Sequence, residues 1–262
     1  MLSYNHSNFT VHQLPVLKDN YIYLIEAHAS SALIVIDPAE AVSVRRACRE
    51  LGKPLTHIFN THHHWDHTDG NQSLKKDFGA VVIGAAHDAE RIPGINLKVS
   101  EASPPLVDGL NIRVLDVAGH TRGHIAYLLD DALFCGDTLF GAGCGRLFEG
   151  TPAQMWQSLQ KIAQLDGNTR IYCAHEYTLA NLAFAVMVDP ENSTLKERLA
   201  RDSEKRQQDI PTIPSTIEIE KATNPFLRPL DAAFLSAYAA GKAVKPEALA
   251  VFTHIRQQKD HF

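Results

Sequence analysis

The sequence predicts an α/β fold in which a two-sheet core is covered by helices and is followed by a C-terminal helical domain. Short β-branched runs alternate with loops and occasional helices up to about residue 175, which is typical of packed sheets with helices on their faces. Beyond that point the chain becomes mainly helical. We therefore place a domain boundary there, with residues 1–175 forming the α/β domain and residues 176–262 the helical domain.

The predicted strands are short apolar runs bounded by turn residues. In chain order they are Val11 to Leu17, Tyr21 to Glu26, Ala32 to Asp37, Thr56 to Asn60, Val81 to Gly84, Asn111 to Val117, Ile125 to Leu129 and Ala132 to Cys135. Pro38 ends the third strand because proline cannot continue a ladder of backbone hydrogen bonds. Val42 to Leu51 is predicted to be a helix, which Gly52 closes.

The last third of the chain carries the helical signals. Helices are predicted over Tyr177 to Val188 and Glu191 to Gln208, the second starting at Asn192-Ser193-Thr194. The proline-rich stretch 211–229 is expected to interrupt the helical pattern, which resumes from Asp231 and again from Pro246.

Composition excludes several classes of protein. Of the 262 residues, 45% are hydrophobic and 21% charged, as in ordinary soluble globular proteins, and the net charge of -5 provides no overall basic field for nucleic acid or anionic lipid. The first ten residues do not resemble a secretory signal, and the apolar runs are too short to span a bilayer. The four cysteines are far apart and form no C-x-x-C pair, which favours a reducing compartment. We therefore expect a cytoplasmic monomer without nucleic-acid or membrane partners.

The segment from Thr61 to His67 packs four histidines and one aspartate into six positions. Side chains two apart in an extended segment point the same way, so His62 and His64 can face one metal ion. Asp66 and His67 follow where the chain must turn and can face a second ion. Crowding so many imidazoles without a metal leaves hydrogen-bond donors unmatched, so a metal site is the better interpretation.

Three isolated residues complete the predicted site, each in a loop at the end of a strand: His120, Asp137 and His175. A single histidine of this kind is more often a core or surface residue, so these three depend on the cluster for their interpretation. Two divalent ions can share one carboxylate, and Asp137 is the candidate for that bridge. Imidazole and carboxylate ligands suit zinc, with iron and manganese as alternatives. His63, which alternates to the other side, and His124 are expected not to be ligands.

These residues resemble the metallo-β-lactamase superfamily, whose signature is H-x-H-x-D-H followed by a distant His, Asp and His. Within that superfamily the chain resembles the hydroxyacylglutathione hydrolase (glyoxalase II) family along nearly its whole length. The motifs that carry the resemblance are Thr61-His62-His63-His64-Trp65-Asp66-His67, Gly136-Asp137-Thr138-Leu139-Phe140, Gly143-Cys144-Gly145-Arg146-Leu147-Phe148-Glu149-Gly150, His175-Glu176-Tyr177-Thr178, Asn224-Pro225-Phe226-Leu227-Arg228 and Arg256-Gln257-Gln258-Lys259-Asp260.

The resemblance implies a four-layer αβ/βα sandwich with a C-terminal helical domain that binds glutathione. It also implies a division of the metal ligands and a set of glutathione contacts. One ion would be held by His62, His64 and His120, and the other by Asp66, His67 and His175, with Asp137 shared between them. Glutathione would be bound by Arg146, Tyr177, Arg256 and Lys259. Cationic side chains suit a ligand with two carboxylates.

The activity that the resemblance implies is hydrolysis of the thioester S-D-lactoylglutathione to D-lactate and glutathione, a step in methylglyoxal detoxification. A metal-bound hydroxide would attack the carbonyl, with Asp66 and Asp137 as catalytic residues. Two departures stand out: Phe148 occupies a position where some members have tyrosine, and Ala118 replaces a frequent proline.

Other functions stay open at this point. Other branches of the superfamily include β-lactamases, RNA-processing nucleases and persulfide dioxygenases, and a non-catalytic metal-binding or scaffolding protein is also conceivable. A nuclease needs a basic groove, which this acidic chain does not supply, and a decayed site would have lost some of the seven ligands.

Overall fold

The computed structural model describes residues 1–262. The chain forms two compact units that do not follow the sequence continuously. The first consists of Met1–Asp116 and Arg122–Gly136, and the second of Val117–Thr121 and Asp137–Phe262.

The first unit contains a seven-stranded sheet whose strands follow one another in sequence order. Its first four strands are antiparallel and the remaining three add in parallel. The strands are β1 (Leu2–Asn5), β2 (Phe9–Val16), β3 (Asn20–Ala27), β4 (Leu33–Ile36), β5 (His57–Phe59), β6 (Val81–Ala85) and β7 (Leu97–Val99).

Helices connect the parallel strands of this sheet, as parallel pairing requires. The helix α1 (Ala41–Leu51) joins β4 to β5, whereas α2 (Trp65–Thr68) and α3 (Asn71–Phe78) lie between β5 and β6. Val44 of α1 and Leu74 of α3 are completely buried in the same apolar cluster as Val35 and Ile58 of the sheet. Burying a side chain of this size contributes roughly 1.5–3 kcal/mol, so this packing fixes the sheet from which the loop after β5 emerges.

An antiparallel meander completes the first unit. It consists of β8 (Ile112–Asp116), β9 (Ile125–Leu129) and β10 (Ala132–Gly136). Every residue of β9 and β10 is buried. Gly136 has a φ of 48°, and a Cβ there would overlap the hydroxyl of Thr61, so glycine allows the end of β10 to approach the loop after β5.

The second unit is mainly helical. Its strands are β11 (Leu139–Phe140) and β12 (Gly143–Cys144), which form a hairpin, and β13 (Arg170–Cys173) and β14 (Ser215–Thr216), which form an antiparallel pair. Its helices are α4 (Pro152–Ala163), α5 (Thr178–Val188), α6 (Ser193–Gln207), α7 (Ile217–Thr223), α8 (Ala232–Lys242) and α9 (Ala248–Asp260). The longest of them, α6, has 15 residues, and no helix of the chain has the length and hydropathy that a bilayer span requires.

Each predicted strand and helix has a counterpart in the structure, with bounds that differ by one or two residues at most ends. One expectation needs correction, because the stretch 211–229 does more than interrupt the helices. It contains β14 and α7, since Thr216 caps the helix by accepting a hydrogen bond from the backbone of Ile219. The sequence patterns also missed β1, β7, α3 and α4, as well as the short pairs β11–β12 and β13–β14.

Candidate metal centre

The loop after β5 carries four of the predicted metal ligands, all in the first unit. His62 and His67 are buried, and the ring of His62 lies 4.6 Å from that of His64 and 4.1 Å from that of His67, measured between centroids. His64 has extended backbone angles and precedes α2, which turns Asp66 and His67 back toward the same loop. The turn expected from the sequence after His64 is therefore present.

A buried carboxylate that the sequence patterns did not single out organises this loop. Asp37, just after β4, accepts hydrogen bonds from the backbone and hydroxyl of Thr61 at 2.8 and 2.7 Å, and from Nδ1 of His67 at 3.0 Å. The candidate ligand atoms of Asp37, His62 and His67 lie within 4.8 Å of one another. Because Asp37 already accepts three hydrogen bonds, we interpret it as the partner that orients His67 and leaves Nε2 to face a metal.

Asn20 at the start of β3 is a second residue that the patterns missed. Its amide donates to Oδ2 of Asp66 at 3.1 Å and to the backbone carbonyl of Asp66 at 3.2 Å. The side chain of a predicted metal ligand is thus held in place by a residue of β3. The sequence signal was weak, because Asp19-Asn20 looked like an ordinary break between strands.

The base of the loop is held by a buried phenol. The hydroxyl of Tyr127 donates to the backbone carbonyl of Asn60 at 3.0 Å. Burial, together with the negative charge of Asp37, raises the pKa of Tyr127 well above its ordinary value. The phenol therefore stays protonated and keeps this hydrogen bond over the whole physiological pH range.

His63 and His124 occupy positions that suit the structural roles expected for them. Nδ1 of His63 lies 2.9 Å from Oδ2 of the buried Asp88, and its Nε2 lies 3.1 Å from Nη1 of Arg91. Both ring nitrogens of His63 therefore face side chains that are not metal ligands. The ring of His124 stacks on that of His62 at 4.6 Å, and its Nδ1 lies 3.1 Å from a backbone carbonyl.

The second unit holds the other three predicted ligands, and it brings them together around one carboxylate. Nε2 of His120 lies 3.4 Å from Oδ2 of Asp137, and Nε2 of His175 lies 3.3 Å from its Oδ1. All three residues are buried. Each carboxylate oxygen thus faces a different imidazole, which is the arrangement that a carboxylate shared between two ions requires.

The surroundings of these three residues fix their orientation. Nδ1 of His120 lies 2.8 Å from the backbone carbonyl of Arg146, so Nε2 is the nitrogen directed at Asp137. The ring of His175 stacks on that of Tyr177 at 4.8 Å with an interplanar angle of 3°. Gly145 closes over Asp137, because a Cβ at this position would overlap the carbonyl oxygen of Asp137.

The two predicted glutathione-binding arginines share one acidic partner in the second unit. Oδ1 of Asp260 lies 2.9 Å from Nη2 of Arg256 and 3.7 Å from Nε of Arg146. The side chain of Arg146 is 60% exposed, whereas that of Arg256 is 6% exposed and also donates to the carbonyl of Cys144 at 3.0 Å. Arg146 is therefore the accessible cation, and Arg256 joins α9 to the β11–β12 hairpin.

The third predicted cation, Lys259, is directed at α5. Its ammonium group donates to the carbonyl of Ala180 at 3.3 Å and lies over the rings of Phe184 and Phe262. Burial, together with the positive charge of Arg256, lowers the pKa of Lys259. Tyr177, the fourth predicted residue, is 37% exposed on its stack with His175.

The donor sets fit the binding of divalent metal. Imidazole Nε2 atoms and carboxylate oxygens converge, and the Nδ1 atoms are held by a carboxylate or a backbone carbonyl in the way typical of metal-ligating histidines. Such donors are compatible with zinc, iron and manganese.

Two family models together cover the chain from residue 17 to its last residue. The model of the metallo-beta-lactamase superfamily matches residues 17–175, and that of the hydroxyacylglutathione hydrolase C-terminus matches residues 176–262. Among curated proteins, a hydroxyacylglutathione hydrolase from Rhodospirillum rubrum is 46% identical over 98% of this chain and 100% of its own length. Another from a Synechococcus strain is 48% identical over 95% of this chain and 98% of its own.

Solved structures give the same fold. ETHE1 from Myxococcus xanthus superposes with a TM-score of 0.68 at 27% identity, covering 94% of this chain and 89% of that protein. TTHA1623, crystallised in a di-iron-bound form, has a TM-score of 0.57 at 23% identity and covers 83% of this chain and 99% of its own. The predicted metallo-β-lactamase fold with a C-terminal helical domain is thereby confirmed.

Proposed function

Because the chain belongs to the hydroxyacylglutathione hydrolase family of the metallo-β-lactamase superfamily, we propose that it hydrolyses S-D-lactoylglutathione to D-lactate and glutathione. The observation that carries this proposal is the combination of oriented metal-binding histidines with a chain that aligns with curated members over nearly its full length. The reaction would serve the removal of methylglyoxal.

We propose a dinuclear centre held by seven residues. His62, His64 and His120 would bind one ion and Asp66, His67 and His175 the other, with Asp137 shared. The position of Asp137 between two imidazoles supports its assignment as the shared ligand. We propose zinc as the metal, with iron and manganese as the alternatives that the donors allow.

Two bound ions would supply a hydroxide nucleophile at neutral pH and would stabilise the oxyanion of the attacked thioester. The residues of the chain orient the reactants. Asp66, whose carboxylate accepts a hydrogen bond from Asn20, would accept one from the nucleophile. The leaving group is a thiolate whose thiol has a pKa of about 8.5, so it departs without a general acid. The absence of a dedicated acid from the predicted machinery is consistent with this chemistry.

For glutathione, we propose Arg146, Tyr177, Arg256 and Lys259 as the binding residues and 176–262 as the domain that supplies most of them. Arg146 and Tyr177 are accessible and suit direct contact with the ligand. Arg256 and Lys259 are more buried, and they would contribute positive potential that attracts the glutathione carboxylates. We propose further that the enzyme is a cytoplasmic monomer.

The test is thiol release from S-D-lactoylglutathione by purified protein, before and after removal of metal by a chelator and after metal is restored. We expect release that is lost with the metal and regained with it. Asp137→Ala should abolish both metal binding and turnover, whereas His28→Ala, which alters an exposed histidine outside the site, serves as the matched control.

No thiol release from metal-replete protein would contradict the proposed substrate. Oxygen uptake with glutathione persulfide would then identify the dioxygenase alternative. Full metal content and activity in Asp137→Ala would contradict the bridging assignment while leaving the substrate intact.

A further inference from the structure

The β11–β12 hairpin is bound to a buried carboxylate of the second unit. Glu220 on α7 is completely buried, and its Oε2 accepts a hydrogen bond from the backbone of Ala142, at the turn of the hairpin, at 2.8 Å. Oε1 accepts from Nη2 of Arg198 and from the hydroxyl of Ser215, both at 2.6 Å. One oxygen of Glu220 therefore holds the hairpin, and the other joins a buried polar network.

Asn224, which follows α7, holds both strands of the same hairpin. Its amide group lies 3.2 Å from the carbonyl of Phe140 and 2.9 Å from that of Gly143, and it also contacts Oε2 of Glu220 at 3.0 Å. Its Oδ1 accepts from the backbone of Phe226 at 3.0 Å. This asparagine opens the Asn224-Pro225-Phe226-Leu227-Arg228 motif, to which the predicted chemistry gives no role.

The network behind Glu220 makes its position costly to change. Arg198 is 2% exposed and lies between Glu220 and Asp202, which is itself 2% exposed. Burial alone would lower the pKa of Arg198, but the negative charges of Glu220 and Asp202 outweigh burial and raise it. The guanidinium stays charged, and it needs both carboxylates because an uncompensated buried charge is strongly destabilising.

The hairpin connects the proposed shared ligand to the proposed substrate cation. Asp137 lies two residues before β11, and Arg146 two residues after β12. The ring of Phe140 in β11 packs 5.9 Å from that of His175 and 5.3 Å from that of Tyr177. A shift of the hairpin therefore displaces Asp137, the His175 ring and Arg146 together.

We propose that Glu220 and Asn224 are positioning residues for the hydrolytic site, acting through the β11–β12 hairpin. This inference deepens the proposed function and rests on it. Neither residue contacts the substrate. They fix the position of the hairpin and therefore the position of the Asp137 carboxylate that precedes it. A displacement of about 1 Å at a reacting centre can lower the rate by up to about 100-fold.

The test compares Glu220→Gln with Asp202→Asn in metal-replete protein. Both remove one charge from the same buried arginine, but the ion-pair partners of Asp202 are Arg198 and Arg201, neither of which belongs to the hairpin. In Glu220→Gln an NH2 group replaces one carboxylate oxygen, and it faces a donor in either orientation: Ala142 and Asn224 at the Oε2 position, or Arg198 at the Oε1 position. We expect kcat to fall about tenfold or more in Glu220→Gln and to stay within about twofold of the parent in Asp202→Asn.

A readout independent of turnover accompanies the kinetics. In competition with a chelator, Glu220→Gln should lose metal at a lower chelator concentration than the parent and Asp202→Asn, because Asp137 is displaced. Asn224→Ser retains an oxygen that can accept from the backbone of Phe226, but its side chain cannot reach both hairpin carbonyls. We expect it to lose kcat and metal as Glu220→Gln does. It takes the place of Glu220→Gln if that variant does not fold.

The outcomes separate the inference from the proposed function. Equal losses of kcat and metal in Glu220→Gln and Asp202→Asn would overturn the positioning role, since the effect would then follow from the buried network as a whole. Parental kcat and metal retention in Asn224→Ser would overturn it as well. An inactive parent protein that still holds its metal would refute the proposed substrate, and the chelator comparison would still decide the positioning role.

Discussion

Individual side chains in this protein set the direction in which the imidazoles point. Asp37 accepts a hydrogen bond from Nδ1 of His67, and the backbone carbonyl of Arg146 accepts one from Nδ1 of His120. In both rings Nε2 is therefore the nitrogen available to the proposed metal. Such partners fix the tautomer and raise the basicity of the ligand. The residues that orient the ligands therefore contribute to metal affinity in addition to the ligands themselves.

We expect Asp37→Asn to weaken metal binding about 10–100-fold, the range observed when the orienting partner of a ligand is lost. The amide fits the same space, but it cannot accept all three hydrogen bonds that the carboxylate accepts. Chelator competition at equilibrium measures the effect. The control is Asp131→Asn, which alters another His–Asp pair, that of His6, outside the cluster. Equal metal affinities for both variants would show that Asp37 does not orient a ligand.

At the scale of elements, α4 supports the segment that carries His120. Thr151 and Gln154 form a capping box at its start, and Pro152 occupies its first position. The hydroxyl of Ser158 donates to the carbonyl of Ala118 at 2.7 Å. A Cβ at Gly119 would overlap Met155, so the helix and this segment approach each other as closely as glycine allows.

Loss of the cap should destabilise α4 without altering the chemistry. Thr151→Ala is expected to lower the free energy of unfolding by about 1 kcal/mol, because the first turn loses a side-chain acceptor. We expect kcat to be unchanged, since Ser158 and the body of the helix remain. Urea unfolding of metal-replete protein provides the measurement, and Thr151→Ser, which retains the acceptor, is the control. A fall in kcat with unchanged stability would mean that the cap acts on the site and not on the helix.

At the scale of the whole molecule, all four cysteine thiols are buried away from solvent. None of Cys48, Cys135, Cys144 and Cys173 is part of a disulfide. Burial raises the pKa of Cys144 to about 11, although the neighbouring Arg256 guanidinium acts in the opposite direction. Below that pKa the thiol is protonated, and at pH 8 only about one part in a thousand is the reactive thiolate.

The native protein should therefore react slowly with a thiol-specific reagent at pH 8, and all four cysteines should react after denaturation. The labelling rate of Cys144 should rise about tenfold for each pH unit below its pKa of about 11, because the rate follows the thiolate fraction. Stopped-flow labelling of native and denatured protein tests this, with free glutathione as the reference thiol. Fast labelling of Cys144 in the native state at pH 8 would contradict its burial. Slow labelling of the protein's own cysteines also keeps the background low when a thiol reagent is used to follow glutathione release.

Much of the fold was readable in the sequence, and the metal ligands could be proposed from it, because both depend on local spacing. Strands such as Ile125–Leu129 are continuous apolar runs, and four histidines and an aspartate within six positions are costly to crowd together unless they bind metal. Short or polar elements escaped prediction. For example, α7 lies in a proline-rich stretch, where its start depends on the cap by Thr216, and β11 and β12 have two residues each.

The sequence by itself determined the fold class, the helical C-terminal region and the residue types of a metal centre, since alternation, caps and ligand motifs act over a few positions. Only the tertiary structure decided which side chains support them. Asp37 approaches His67 across 30 positions, and Glu220 reaches Ala142 across 78. A buried hydrogen bond between such distant residues depends on how strands and helices pack, and local spacing carries no record of that packing.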